Sequence, residues 1–177
     1  MSFTIQDSGD GTTGPARGFV LGPDEGDAYW WLGSLSINKL TAARTGGGLD
    51  IVDHRVPPGY APPPHVHAGM DEVFYVLDGT FAVNCGGERW TAGPGSLVFL
   101  PRGVAHGFVV SDEGPGRTLL FNAPAGFADV ITELGEPARE LVLPGPDVAV
   151  PDAVRIGEVS AAHGIRPIPR PVPRPAP

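Results

Sequence analysis

Gly59-Tyr-Ala-Pro-Pro-Pro-His65-Val-His67-Ala-Gly-Met-Asp-Glu72-Val-Phe-Tyr-Val-Leu-Asp-Gly79 carries more information about the fold than any other stretch of the 177-residue chain. Side chains alternate faces along an extended segment, so His65 and His67 point to one side and can present two imidazoles to a single ion. Pro62, Pro63 and Pro64 fix their own φ and bias the residues before them toward extended conformations, which orders the two histidines in advance. After a short turn at Ala68-Gly69, Glu72 opens a strand with the parity of Phe74 and Val76. A carboxylate is thereby aimed inward among apolar side chains, where burial is costly without a compensating cation. Asp78-Gly79 supplies the positive φ of a tight turn, and Asp71 to Asn84 reads as a β-hairpin around it.

A second segment completes the set: Gly95-Ser-Leu-Val-Phe-Leu-Pro101-Arg-Gly103-Val-Ala-His106-Gly-Phe108-Val-Val110. Pro101 and Gly103 make a tight turn, and His106 begins the returning strand with Phe108 and Val110 on its face. His65, His67, Glu72 and His106 then meet inside one barrel. Three imidazoles and a carboxylate suit one divalent transition metal ion, Fe, Mn, Ni, Co, Cu or Zn, and affinity alone does not choose among them.

Outward from these segments the chain is punctuated by 26 glycines and 21 prolines, the pattern of short strands joined by many turns. Strands are expected within Tyr29 to Leu40, at Leu49 to Val56, Gly87 to Thr91, Ser96 to Leu100, His106 to Ser111 and Arg117 to Asn122. Helical spacing occurs clearly once, at Phe127, Val130, Ile131 and Leu134, with Gly135 placed to stop a helix over about 125–135. The reading is an all-β domain: a flexible arm over 1–18, a jelly-roll-like barrel with its packed helix over 19–143, and a Pro-rich extension over 144–177. Six prolines in the last eleven residues make the end of that extension an extended, mobile tail.

The formal net charge is -8, which argues against nucleic-acid or anionic-membrane partners. No signal-type N-terminus and no bilayer-length apolar run is visible, so a cytoplasmic protein is expected. The single cysteine, Cys85, reads as a small buried hydrophobe. Trp30 and Trp31 are adjacent and must face opposite sides of a strand, which puts one toward solvent or a partner and favours a homodimer contact. His54 and His163 lie outside both segments and receive no role, and Arg102 reads as a solvated turn arginine.

The two segments resemble the cupin superfamily. The first fits its motif G-(x)5-H-x-H-(x)4-E-(x)6-G from Gly59 to Gly79, and the second fits G-(x)5-P-x-G-(x)2-H from Gly95 to His106, departing at Val110, where the family pattern has Asn. The order of strands, trailing helix and Pro-rich end is similar to bacterial single-domain cupins of the quercetin 2,3-dioxygenase-like type. That resemblance implies a metal-dependent dioxygenase or oxidase acting on an enolic, aromatic or polyketide-like small molecule with O2, with Glu72 as ligand and also as catalytic base, and a homodimer. Tyr60, Phe74, Phe99, Phe108 and Phe121 are the aromatic residues available to line a substrate pocket. Two other functions fit the same ligand set: a non-redox isomerase, cyclase or decarboxylase, and a cupin that binds a small molecule without turning it over.

Overall fold

The computed structural model describes residues 18–168. Its strands are β1 (Asp27–Trp31), β2 (Ser34–Leu40), β3 (Asp50–Val56), β4 (His65–His67), β5 (Asp71–Asp78) and β6 (Phe81–Cys85). They continue with β7 (Glu88–Ala92), β8 (Leu97–Leu100), β9 (His106–Val110), β10 (Gly116–Ala123), β11 (Glu136–Pro137) and β12 (Ile165–Pro167). The helices are α1 (Ala42–Thr45), α2 (Phe127–Leu134) and α3 (Ala153–Ala162). Two antiparallel sheets face each other, one ordered β11-β1-β2-β3-β10-β5-β8 and the other β12-β4-β9-β6-β7. The architecture is the all-β jelly-roll-like barrel expected from the turn-rich sequence.

The inner faces follow from strand parity. In the first sheet Val52 and Leu120 share the inward row with Phe74, and in the second Phe81, Val83 and Val110 do the same, all nearly inaccessible to solvent. Val110, the position that departs from the motif, is simply part of this core. α2 lays Phe127, Val130, Ile131 and Leu134 against it, as the helical spacing predicts. The N-terminus of α2 is fixed from a distance: the buried Asp50 carboxylate accepts hydrogen bonds from Gly126 N at 2.7 Å, Ala128 N at 3.1 Å and Asn122 Nδ2 at 2.8 Å. These satisfy donors that a helix leaves unpaired at its start.

Three expectations change. Asp71 to Asn84 is not a hairpin: β5 pairs with β10 and β8, whereas β6 pairs with β7 and β9 in the opposite sheet. Gly79 does adopt φ 81°, and a Cβ there would meet Pro115 O at 2.5 Å, so the turn is tight. It carries the chain across the sandwich rather than back along a ladder. Trp31 faces the core and Trp30 the outer side, but Trp30 is 8% exposed and offers no surface for a partner. Its Nε1 donates to Val142 O at 2.8 Å, and Leu35, Ile37, Leu143 and Val148 surround it, so the chain's own later segment covers it. Finally, the stretch read as an extension holds α3 and β12. α3 buries Val159, and β12 adds a strand beside β4, pairing Ile165 with His67 and Pro167 with His65. The arm over 1–17 and the tail over 169–177 lie outside the described residues.

Candidate metal centre

β4 projects His65 and His67 to one side, and its neighbour β9 places His106 directly opposite His65. Across the barrel, Glu72, the second residue of β5, has inward parity and lies level with Asn122 and Leu100. One donor atom from each of His65, His67, Glu72 and His106 lies within 4.8 Å of every other. The Glu72 Oε2 atom is 3.5 Å from His106 Nε2 and 3.7 Å from His67 Nε2. Those gaps are long for hydrogen bonds, but donors sharing one ion at metal–ligand distances of about 2.1 Å sit roughly 3.0–3.4 Å apart. A contraction of a few tenths of an ångström would bring Glu72 to that spacing from His106 and His67.

The hydrogen bonding agrees with that use. His65 Nδ1–H donates to Pro63 O and His106 Nδ1–H to Val104 O, each at 2.9 Å. A carbonyl only accepts, so each ring keeps its proton on Nδ1 and turns the Nε2 lone pair inward. Nε2 of His67 and of His106 are buried and have no hydrogen-bond partner. Buried polar atoms are rarely left so, and a shared ion is the partner that this geometry fits. Burial opposes the charge on Glu72, yet the imidazoles of His106, His67 and His65 outweigh it and hold the carboxyl down at about 2. Burial lowers His67 to about 4 and lowers His65 too, so both rings are neutral and ready to coordinate.

Neighbouring groups hold the segments in place. Arg102 is not a free turn residue. Its Nε and Nη2 donate to the two oxygens of Asp71 at 3.0 and 2.7 Å, and its backbone N also reaches Asp71 at 2.8 Å. The turn that precedes His106 is thus tied to the first residue of β5, next to Glu72, and Gly103 N donates to His67 O at 2.8 Å. The Phe127 ring lies 6.0 Å from His67, which closes the helix side of the cluster.

Of the aromatic residues expected to line a pocket, Tyr60, Phe74 and Phe108 belong to the interior, linked by ring contacts of 6.2 Å from Tyr60 to Phe108 and 5.9 Å from Phe108 to Phe74. Phe99 and Phe121 do not. They pair with Val73 on the outer parity of the first sheet, and Phe99 is 55% exposed. His54, which received no role from sequence, is 4% exposed and faces inward beside Trp31 and Tyr60. Its signal was present in the alternation, since it shares parity with the buried Val52 and Val56. His163 sits at the surface end of α3, with Nε2 2.8 Å from Glu133 of α2.

Comparison with known proteins places this geometry. Residues 52–122 match the family model of the cupin domain, a span that contains all four cluster residues. An uncharacterized protein of Streptomyces coelicolor is 36% identical over 55 residues, 31% of this chain, and the match spans about half of that relative, 52%. Among solved structures, an RmlC-like cupin from Shewanella frigidimarina is 23% identical, with a TM-score of 0.50 over 62% of this chain and 92% of that one. The Streptomyces protein PAC13, solved with uridine, is 17% identical, with a TM-score of 0.50 over 62% of this chain and 84% of its own. The two-sheet barrel and the match over residues 52–122 together make this fold a cupin fold.

Proposed function

We propose that the chain is a metal-dependent enzyme, an oxidase or dioxygenase of an enolic or aromatic small molecule that uses O2. One observation carries this reading: three histidines and a glutamate converge on one point inside a barrel whose adjacent walls are Tyr60, Phe74, Phe108 and Phe127. A divalent transition ion held by His65, His67, Glu72 and His106 would supply Lewis acidity and open coordination positions for substrate and oxygen. The protein's own contribution is to keep the His65 and His67 imidazoles unprotonated, to exclude bulk water with the aromatic walls, and to place Glu72 Oε2 where it can take the proton of a substrate hydroxyl.

The test is oxygen uptake by protein purified without a polyhistidine tag and loaded in turn with Fe, Mn, Ni and Co, against a panel of flavonols and β-diketones. Uptake with stoichiometric product is the expected result. Turnover that persists without oxygen would assign non-redox isomerase, cyclase or decarboxylase chemistry instead, and tight binding without turnover would reduce the protein to a small-molecule binder.

The same proposal includes a homodimer, seated not on Trp30 but on the outer face of β5 and β8, where Tyr75, Leu77, Leu97 and Phe99 are exposed together. Phe99→Glu is expected to shift the species seen by analytical ultracentrifugation from dimer to monomer. A wild-type protein that sediments as a monomer at micromolar concentration refutes it.

A further inference from the structure

The register on the inner side of the first sheet sets Ser36, His54, Thr118 and Val76 in one row. Two buried polar atoms at this level have no hydrogen-bond partner, Nε2 of His54 and Nε1 of Trp31. The residues are 4% and 9% exposed, and their rings lie 6.2 Å apart. Of the polar groups nearby, Ser34 Oγ donates to Trp31 O at 2.6 Å and Asn38 Nδ2 donates to Ala128 O at 3.2 Å, while Asn38 Oδ1, one inward row along the sheet, is a third buried atom without a partner. An indole N–H is a donor only, while a neutral imidazole nitrogen donates or accepts according to its tautomer. Together they match one oxygen atom that can accept from Trp31 and exchange a hydrogen bond with His54.

We propose that His54 Nε2 and Trp31 Nε1 form the far docking point of the substrate chamber, holding one hydroxyl or carbonyl oxygen of an uncharged, oxygen-substituted aromatic molecule whose other end faces the four-residue cluster. The proposal rests on the reading that a small molecule reacts inside the barrel, and it names the class of that molecule. Burial holds the His54 imidazole neutral, at about 4, against the opposing pull of Glu72 and Asp53. Among the described residues no lysine or arginine is buried, so this end of the chamber offers no countercharge to a carboxylate. Tyr60, with its ring 5.8 Å from His54, and Phe108 beyond it continue the wall as a surface on which a flat ring can pack.

The test uses the full chain labelled with 15N, as purified and after zinc loading, with resorcinol as the neutral probe and oxalate as the charged control. The three tryptophans give three indole N–H signals. Trp31→Phe assigns the relevant one, and the Trp30 signal, already bonded to Val142 O, serves as the internal reference. Resorcinol is expected to move the Trp31 signal while oxalate leaves it in place, and His54→Asn is expected to weaken resorcinol about tenfold, the loss of one good hydrogen bond, with zinc content unchanged. Should His54→Asn fail to fold, Trp31→Phe keeps the ring and removes only the N–H, and the same tenfold loss is read by calorimetry. A Trp31 signal that stays still at about ten millimolar resorcinol, a concentration at which even millimolar affinity would show, or an affinity unaltered by these substitutions, overturns the proposal. A chain that binds no zinc yet shows the Trp31 shift sinks the metal-enzyme reading and leaves the docking point standing; zinc-loaded protein with an unmoved signal does the reverse.

Discussion

His106→Ala and His65→Ala are each expected to lose the bound metal and, with it, the heat resistance the metal confers. A ligand held at a hundred to a thousand times its Kd stabilises a fold by about 3–4 kcal/mol. For a chain of this size that corresponds to roughly 6–15 °C in Tm. The readout is the difference in Tm with and without metal, because His106→Ala also strips Glu72 of its nearest imidazole and weakens the apo protein. That difference should vanish in both variants, alongside metal content measured by plasma spectrometry. Metal content equal to wild type in both refutes the ligand assignment. The same site fixes a sign for pH. Burial opposes the charged form of His106, but the Glu72 carboxylate and the Val104 carbonyl outweigh it and raise its pKa above 6.5. A proton must therefore leave His106 before an ion can bind, and below that pKa affinity should fall about tenfold per pH unit for the one proton displaced.

Asp50→Ala should be among the most damaging substitutions outside the cluster. It strands Gly126 N, Ala128 N and the Asn122 amide, three donors that now share one buried carboxylate. At about 1–3 kcal/mol for each buried donor left unsatisfied, and with partial relaxation, the cost is about 3–5 kcal/mol. A fall in Tm of roughly 10–15 °C is expected. α2 carries Phe127, which touches both Trp31 at 5.4 Å and His67 at 6.0 Å, so metal affinity should fall as well. Asp24→Ala is the control, since its carboxylate is 65% exposed and pairs only at the surface with Arg55. Equal melting of the two variants would show that the cap on α2 does not anchor the helix.

The four cluster residues were legible because their spacing is local: two histidines two residues apart, a glutamate five residues on, and a histidine after a Pro-Gly turn. Strand positions and α2 were legible for the same reason, through turn residues and periodicity. Sheet partnership was not. Asp78-Gly79 announces a reversal of the chain, but nothing local says whether the next strand returns to the same sheet or crosses to the other. Asp50 was invisible for a related reason, since it caps a helix that begins more than seventy residues later. His54 was readable in principle, in step with Val52 and Val56, but an isolated histidine on a strand has no meaning until the inner face is known. The aromatic residues misled in the opposite way. Phe99 looks like pocket material by type, yet Val98 and Leu100 on either side of it hold the inward parity, so it must face out.

The strand added by β12 has a consequence for how this molecule meets others of its kind. Without it β4 would terminate the second sheet, and its bare backbone groups would be a template for strands of other chains, a recognised route to aggregation. Ile168 N donating to Pro64 O and Ala68 N donating to Gly164 O seal that margin along its length. Clipping the chain after Leu143 would therefore do more than shorten it: the histidine-bearing edge would become adhesive.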